Sequence, residues 1–397
     1  MVKSFTAKRK YRSISLFSGI GGLDIGLERV GFNPVFSSEL DPNAAMTFQT
    51  YLGKRDHHPN FQSDVNVVTP AILMRKLGVK RGEIDLLVGG PPCQAFSLIG
   101  KRKCLDDARG VLLYKMAEFA EAFRPKVILI EQVKGLLSAF CENNTRGGAL
   151  SKLVSWLEGL GYIVTYKILL AADFGVPQLR ERLFVVACEG KKFKFPEPTH
   201  YQETSRDLLD QMRGYITVRE ALMGLPEPNR VGEIEVFPNH ADITPARDQQ
   251  RIHGVPEGEC LAKQHHLPKS QRMNLTDKDT TKFRRLAWDK PALTLRGGEA
   301  FYHPKEDRYL TPREYLRLHG FDDDFVLYGP IKGRSGSFRT LDQHRLVANA
   351  VPPRLAEIVG KEIVKQLLEN NVKSSYSATV LSKQKYSDAT CISEATA

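Results

Sequence analysis

Short apolar runs alternate with amphipathic stretches from about residue 13 to residue 190. Ser13–Phe17, Pro34–Leu40, Ile84–Val88 and Val127–Ile130 read as strands, because each is a brief apolar run bounded by Gly, Pro or charge. Gly22–Val30, stopped by Gly31, and the stretches Val111–Phe123 and Leu150–Leu160 carry helical spacing, the last with Trp156 and several Leu on its inner face. Alternating strands and helices predict an α/β fold with a doubly wound, mostly parallel sheet. The rhythm then changes. Ile163–Leu170 and Leu183–Ala187 read as two strands joined by a hairpin-type connection through Ala171–Pro177. From about 190 to 290 the chain is rich in Pro, Gly, His and charge with little periodicity, which fits a small irregular domain or long loops. Regularity returns where Thr311 as cap, Pro312 at the first helical position and Gly320 past the end specify a short helix. Leu355–Leu368 is a final amphipathic helix. The expected organisation is a main domain over 1–190, completed by 301–370, with a second, smaller irregular domain over 191–300. Residues 371–397 are rich in Ser, Thr, Lys and Ala and read as a disordered tail.

Composition narrows the class. Of the 397 residues, 42% are hydrophobic and 26% charged, as in ordinary globular proteins. The net charge of +11 is less ordinary; it favours a polyanionic partner over a merely solubilising surface. The six cysteines show no Cys-x-x-Cys pair, which argues for reduced thiols. The basic start lacks the apolar core of a signal peptide, and no apolar run reaches the roughly 18 residues of a membrane span. A cytoplasmic protein with no membrane partner is expected.

The candidate chemistry collects at strand ends. Leu86–Val88 runs into Gly89-Gly90-Pro91-Pro92 and then presents Cys93, while Val127–Ile130 ends in Glu131. In open α/β sheets ligands gather outside the carboxyl ends of the strands, so this thiol and this acid face one crevice. A loop cysteine there is a nucleophile or a small buried hydrophobe. An acid against apolar strands is a proton donor with a raised pKa, or a capping residue. The first strand leads into Ser18-Gly19-Ile20-Gly21-Gly22, a nucleotide-type turn. Asp24 falls where the dinucleotide fingerprint wants its third glycine, and its charge at a helix start opposes a pyrophosphate. An adenosine cofactor without phosphate, such as S-adenosylmethionine, meets no such conflict, and Glu39 stands where an acid can hold ribose hydroxyls. Arg180 and Arg182, if extended, share one face and can grip a carboxylate, a phosphate or a base carbonyl, or else form a solvated strand end. Cys260 with the adjacent His265 and His266 has poor zinc spacing, and no metal is expected.

Together these segments resemble the DNA (cytosine-5) methyltransferase family of bacterial restriction–modification systems. Phe17-Ser18-Gly19-Ile20-Gly21-Gly22 is similar to its first motif, and Gly90-Pro91-Pro92-Cys93-Gln94-Ala95-Phe96-Ser97 to its nucleophile loop. Glu131-Gln132-Val133 matches Glu-Asn-Val, and Gln178-Leu179-Arg180-Glu181-Arg182 matches Gln-x-Arg-x-Arg. Arg308–Glu314 resembles the ninth motif and Ala348-Asn349-Ala350-Val351-Pro352-Pro353 the tenth. Two departures stand out: Gln132 replaces Asn, and Ala348 replaces Gly.

The resemblance implies methyl transfer from S-adenosylmethionine to cytosine C5 in a specific duplex sequence. Cys93 would add to C6, protonated Glu131 would hydrogen-bond N3, and Arg182, with Arg180 as the weaker candidate, would hold the base. The target base must be flipped out of the duplex. For the cofactor it implies Phe17 on the adenine, Glu39 on the ribose, Asp64 and Val65 bordering the adenine, and Gly19, Gly21, Gly22, Pro92 and Asn349 lining the rest. The loop from Ser97 through Arg109, with Lys101, Arg102 and Lys103, would close over DNA. Residues 191–300 would be the target-recognition domain; 247–290 holds ten Lys/Arg against six Asp/Glu, a bias suited to phosphate contacts. A monomer is expected, paired in function with a restriction endonuclease. An RNA cytosine methyltransferase of the same chemistry and a non-catalytic DNA-binding relative are the alternatives.

Overall fold

The computed structural model describes residues 11–55, 59–92, 111–139, 146–202, 213–230, 233–234, 236–263, 267–272, 283–297, 301–331 and 340–368. Its centre is a seven-stranded sheet built from β1 (Tyr11–Leu16), β2 (Phe32–Ser38), β3 (Asn60–Gln62), β4 (Leu86–Gly89), β5 (Val127–Gln132), β6 (Tyr162–Leu170) and, after the two-residue β7 (Gln178–Leu179), β8 (Glu181–Glu189). The spatial order is β3-β2-β1-β4-β5-β8-β6. The first five are mutually parallel, whereas β8 runs antiparallel to both β5 and β6. The expected doubly wound, mostly parallel sheet with an antiparallel hairpin is therefore present.

Helices α1 (Gly22–Glu28), α2 (Pro42–Gly53), α3 (Pro70–Leu77), α4 (Val111–Phe123) and α5 (Gly148–Gly159) lie among these strands. After them come α6 (Val218–Leu222), α7 (Ala246–Ile252), α8 (Pro312–His319), α9 (Gln343–Asn349) and α10, over 353–368. Strand side chains alternate between faces, which explains the unbroken apolar runs of a sheet covered on both sides. Leu87, Ile128, Ile130, Leu183 and Val185 pack on one face against Leu73 of α3, Met116, Phe119 and Phe123 of α4 and Leu153 of α5. Leu86, Val88, Leu129, Phe184 and Val186 pack on the other against Leu23 and Leu27 of α1 and Val359 and Ile363 of α10.

Two details differ from the sequence expectation. Trp156 is half-buried and lies against Tyr114 of α4 at 5.3 Å, outside the buried Leu face of α5. Strand β2 begins and ends two residues earlier than Pro34–Leu40, and Pro34 sits inside it, where its register with β1 shifts between Ser13 and Ile14. Pro lacks the N–H that an even ladder needs, so the irregularity falls there.

Several segments of the irregular region pack with the main domain. Val218, Leu222, Leu286, Ala292 and Leu295 share a third core with Ile20 and Ile25 of the first turn and helix, Phe48 of α2 and Leu316 and Leu346 of α8 and α9. A small fourth core joins Ile252, Val255, Leu261 and Leu267 to Tyr302 and Tyr309. The 371–397 tail lies outside the described residues. Among the described residues, no helix is long and apolar enough to cross a membrane.

Candidate active site

Strand order reverses between β1 and β4, the switch point where doubly wound sheets hold ligands. The β1 end turns through positive φ at Phe17 (58°), Gly19 (57°) and Gly21 (86°). The turn is locked by Ser18 N–H donating to Ser38 O at 2.9 Å and Gly21 N–H to Ser18 O at 2.9 Å. Gly21 and Gly22 are small because of what faces them. A Cβ at Gly21 would overlap the Phe48 ring, and one at Gly22 the Val351 carbonyl oxygen. Beside Gly19, in contrast, there is open space.

Glu39 closes this turn from the end of β2. Its Oε2 accepts from Gly19 N–H and its Oε1 from Asp41 N–H, both at 2.8 Å. Burial nevertheless pushes its pKa up, outweighing those two donors. A carboxylate offers about four acceptor sites, so sites remain for a ligand's hydroxyls. Glu39 also lines a cavity of about 460 Å³ with Leu40, Met46, Phe61 and Ser63. Asp64 caps the next turn by accepting from Asn66 N–H at 2.9 Å, and Val65 is buried in the core beneath. Pro92 and Asn349, the last residue of α9, are exposed. Asp24 is buried in the first turn of α1, and burial raises its pKa to about 7. Near neutrality the negative charge expected there is thus about half quenched.

Glu131 is delivered by β5 and buried at 8% exposure. Its Oε1 lies 3.0 Å from Arg182 Nε at the start of β8, the neighbouring strand. Desolvation raises the Glu131 pKa, and the charges of Arg182 and then Arg180 only partly oppose it. Gln132 reaches across to β4, its Nε2 donating to the Pro91 carbonyl oxygen. The longer amide therefore anchors the backbone just ahead of Cys93. Cys93 itself, with Lys101, Arg102, Lys103 and the loop to Arg109, lies outside the described residues, as do His265 and His266. Cys260 is buried and unpaired with any other cysteine.

Arg180 is placed differently from Arg182. The chain bends between β7 and β8, with Arg180 N–H donating to Gln178 O at 2.9 Å, so the two arginines do not continue one regular strand face. Its fully buried guanidinium donates through Nη2 to Ala348 O at 2.8 Å and Ala350 O at 2.9 Å. Nε and Nη1 meet no hydrogen-bond partner among the described residues. Neither bond needs a left-handed backbone at Ala348, which is helical in α9, so alanine fits where the family has glycine.

A buried polar network that sequence reasoning missed extends from here. Gln178 Nε2 donates to Leu318 O at 3.1 Å and to His319 Nδ1 at 3.0 Å, and Gln178 Oε1 accepts from Leu295 N–H at 3.2 Å. His319 Nε2 donates in turn to Ala350 O at 3.2 Å. Burial, then the nearby Arg180, holds the His319 ring neutral. Thr294 Oγ1 donates to Leu179 O at 2.5 Å, and Arg345 Nε to Gly297 O at 3.1 Å. The only sequence signals for this network were Gln178 itself and the Thr294-Leu295 and Gly297-Gly298 pairs. Among the described residues, no three His, Cys, Asp or Glu gather as a metal site.

Residues 11–365 match the family model described as C-5 cytosine-specific DNA methylase. The chain is 32% identical over 357 residues to the Type II methyltransferase M1.HphI of Haemophilus parahaemolyticus, covering 89% of this chain and 86% of that protein. It is 32% identical over 365 residues to the Type II methyltransferase M.Eco47II of Escherichia coli, covering 89% and 79%. Its fold is similar to a prophage-encoded E. coli structure described as a DNA modification methyltransferase, with a TM-score of 0.65, 23% identity and coverage of 91% and 100%.

Proposed function

This chain belongs to the C-5 cytosine-specific DNA methylase family and is a DNA cytosine-5 methyltransferase, and from that premise we propose that it uses S-adenosylmethionine, Cys93 and a flipped cytosine. The observation that carries the reading is the buried Glu131–Arg182 pair, fixed one strand away from the Pro91–Pro92 turn that leads into Cys93.

The cradle fits the donor. The turn at Phe17–Gly22, the open space at Gly19 and the sites left on Glu39 suit an adenosine with ribose hydroxyls and no phosphate. Phe17, Gly19, Gly21, Gly22, Glu39, Asp64, Val65, Pro92 and Asn349 are proposed to hold it. When bound, it supplies an electrophilic methyl group within reach of cytosine C5.

The chain's own residues make C5 reactive. The Cys93 thiolate adds to C6, breaking ring conjugation and loading electron density onto C5. Glu131, kept protonatable by burial, hydrogen-bonds N3 and stabilises the charge that develops there. Arg182 holds Glu131 and meets the base carbonyl, while Arg180 ties that strand to Ala348 and Ala350 and so positions the pair. Once C5 carries the methyl, loss of its proton and expulsion of Cys93 restore the aromatic ring. The target carbon is inaccessible inside a duplex, so the base must be extruded. The names of the relatives support a Type II restriction–modification role, in which methylation protects DNA from a paired endonuclease. Residues 191–300 are proposed to supply target recognition.

The test is direct. The protein is incubated with duplex DNA or, in parallel, transfer RNA, and labelled S-adenosylmethionine, and modified positions are sequenced. Label at C5 of one cytosine in a fixed DNA sequence is expected. Label confined to RNA, or to another base atom, overturns the reading.

A further inference from the structure

Residues 292–297 form a short shelf clamped to β7, just ahead of β8. Ala292 and Leu293 pair in parallel with Gln178 and Leu179 of β7, and Ala292 N–H donates to Pro177 O at 2.9 Å. Thr294 is tied by its hydroxyl to Leu179 O, Leu295 by its N–H to Gln178 Oε1, and Gly297 by its carbonyl to Arg345. Leu295 is also buried at 1% exposure in the third core. A Cβ at Gly297 would press on the backbone and side chain of Arg345, so the close approach is built in.

Between two clamped neighbours stands Arg296. Its side chain is exposed and makes no ion pair or hydrogen bond among the described residues. An arginine normally loses much rotamer freedom when ordered, and free surface charges gain little from isolated pairing. Here the backbone cost is already met by the clamps, and the charge has no ion-pair partner among the described residues. Its neighbour Arg345, which holds the shelf from α9, lies 3.5 Å from Asp342, so that charge is already paired and Arg296 carries the shelf's exposed charge. The shelf pairs with Leu179, three residues before Arg182, which places it within roughly 10 Å of backbone from the Glu131–Arg182 pair.

We propose that Arg296 grips a backbone phosphate of the target strand beside the extruded cytosine, setting where the strand lies relative to Glu131 and Arg182. This rests on the proposed function, since the strand must pass over that pair. A guanidinium suits a phosphate because its planar donor fork matches two oxygens at once. As a phosphate contact it positions the duplex and carries no sequence information.

The test compares wild type, Arg296→Ala and Arg296→Lys by fluorescence anisotropy on a labelled duplex. That duplex carries the site found by sequencing methylated positions, and salt is varied. Loss of one phosphate contact should lower the slope of log affinity against log salt by about 0.9 in Arg296→Ala, while Arg296→Lys keeps the slope. Affinity for S-adenosylmethionine and the thermal midpoint should be unchanged in both variants. An unchanged salt slope in Arg296→Ala overturns the proposal. So does a changed site preference at constant slope, which would mark a base contact. Covalent trapping of wild type on 5-fluorocytosine DNA is run alongside, and its absence would count against the catalytic reading without bearing on the slope.

Discussion

Glu131 is where competing electrostatic effects decide the chemistry. Its carboxyl sits in ion-pair contact with Arg182, which alone would hold it ionised, yet loss of water raises its pKa overall. In the proposed mechanism the protonated form is the one that donates to N3, so activity should fall as pH rises through that raised pKa. Glu131→Gln keeps a donor but cannot titrate or take up charge. Single-turnover methyl transfer should drop by about 10²- to 10⁴-fold in this variant, with the alkaline fall linked to Glu131 removed. Asp24 bears on stability instead. Burial lifts its pKa from 3.8 to about 7, so the folded state binds the proton more tightly than the unfolded state. Wild-type stability should therefore decline as pH rises from about 4 to about 7, then level off. Asp24→Asn escapes that decline. Thermal melts at pH 5 and pH 8 should show the variant gaining on wild type at the higher pH, and an equal difference at both would count against it.

At the scale of elements, the glycine turn separates two kinds of constraint. Gly19 has a left-handed backbone beside open space, so Gly19→Ala should cost about 1 kcal/mol and push a methyl into the space assigned to the donor. At Gly22 the added methyl meets the Val351 carbonyl, a backbone atom that cannot swing aside, and roughly 1–3 kcal/mol is expected. Urea unfolding should show the larger loss in Gly22→Ala, while titration with S-adenosylmethionine should show weakened binding in Gly19→Ala. These elements were readable in advance because local rules specify them. Leu86–Gly89 and Val127–Ile130 are apolar on both faces, and the Thr311, Pro312 and Gly320 signals give a helix with a complete capping box between Thr311 and Glu314. What stayed hidden is long-range. Arg180 and Arg182 sit two residues apart in one motif, but a bend sends one to Ala348 and the other to Glu131. Gln178 and His319 are 141 residues apart and meet only after α8 docks.

The whole molecule joins the segments proposed for recognition to those proposed for catalysis through its third core. Segments 218–222 and 286–295 pack with the first turn, α2, α8 and α9, and the same segments reach β7 by strand pairing and through Gln178. If DNA engages 191–300 as proposed, a change there reaches β7, and through it β8 and Arg182, by packed contacts. The net charge of +11 favours non-specific attraction between the chain and polyanionic DNA. Attraction and packing prepare the encounter, but in the proposed mechanism methyl transfer depends on a covalent bond from one thiol. The measurement that bears on it most directly is trapping on duplex DNA with 5-fluorocytosine at the methylated position, followed by peptide mapping. The fluorine cannot leave as the proton does, so the enzyme should remain attached through the peptide that contains Cys93, and Cys93→Ser should form no adduct. An adduct that persists in Cys93→Ser, or maps to another residue, would contradict the account.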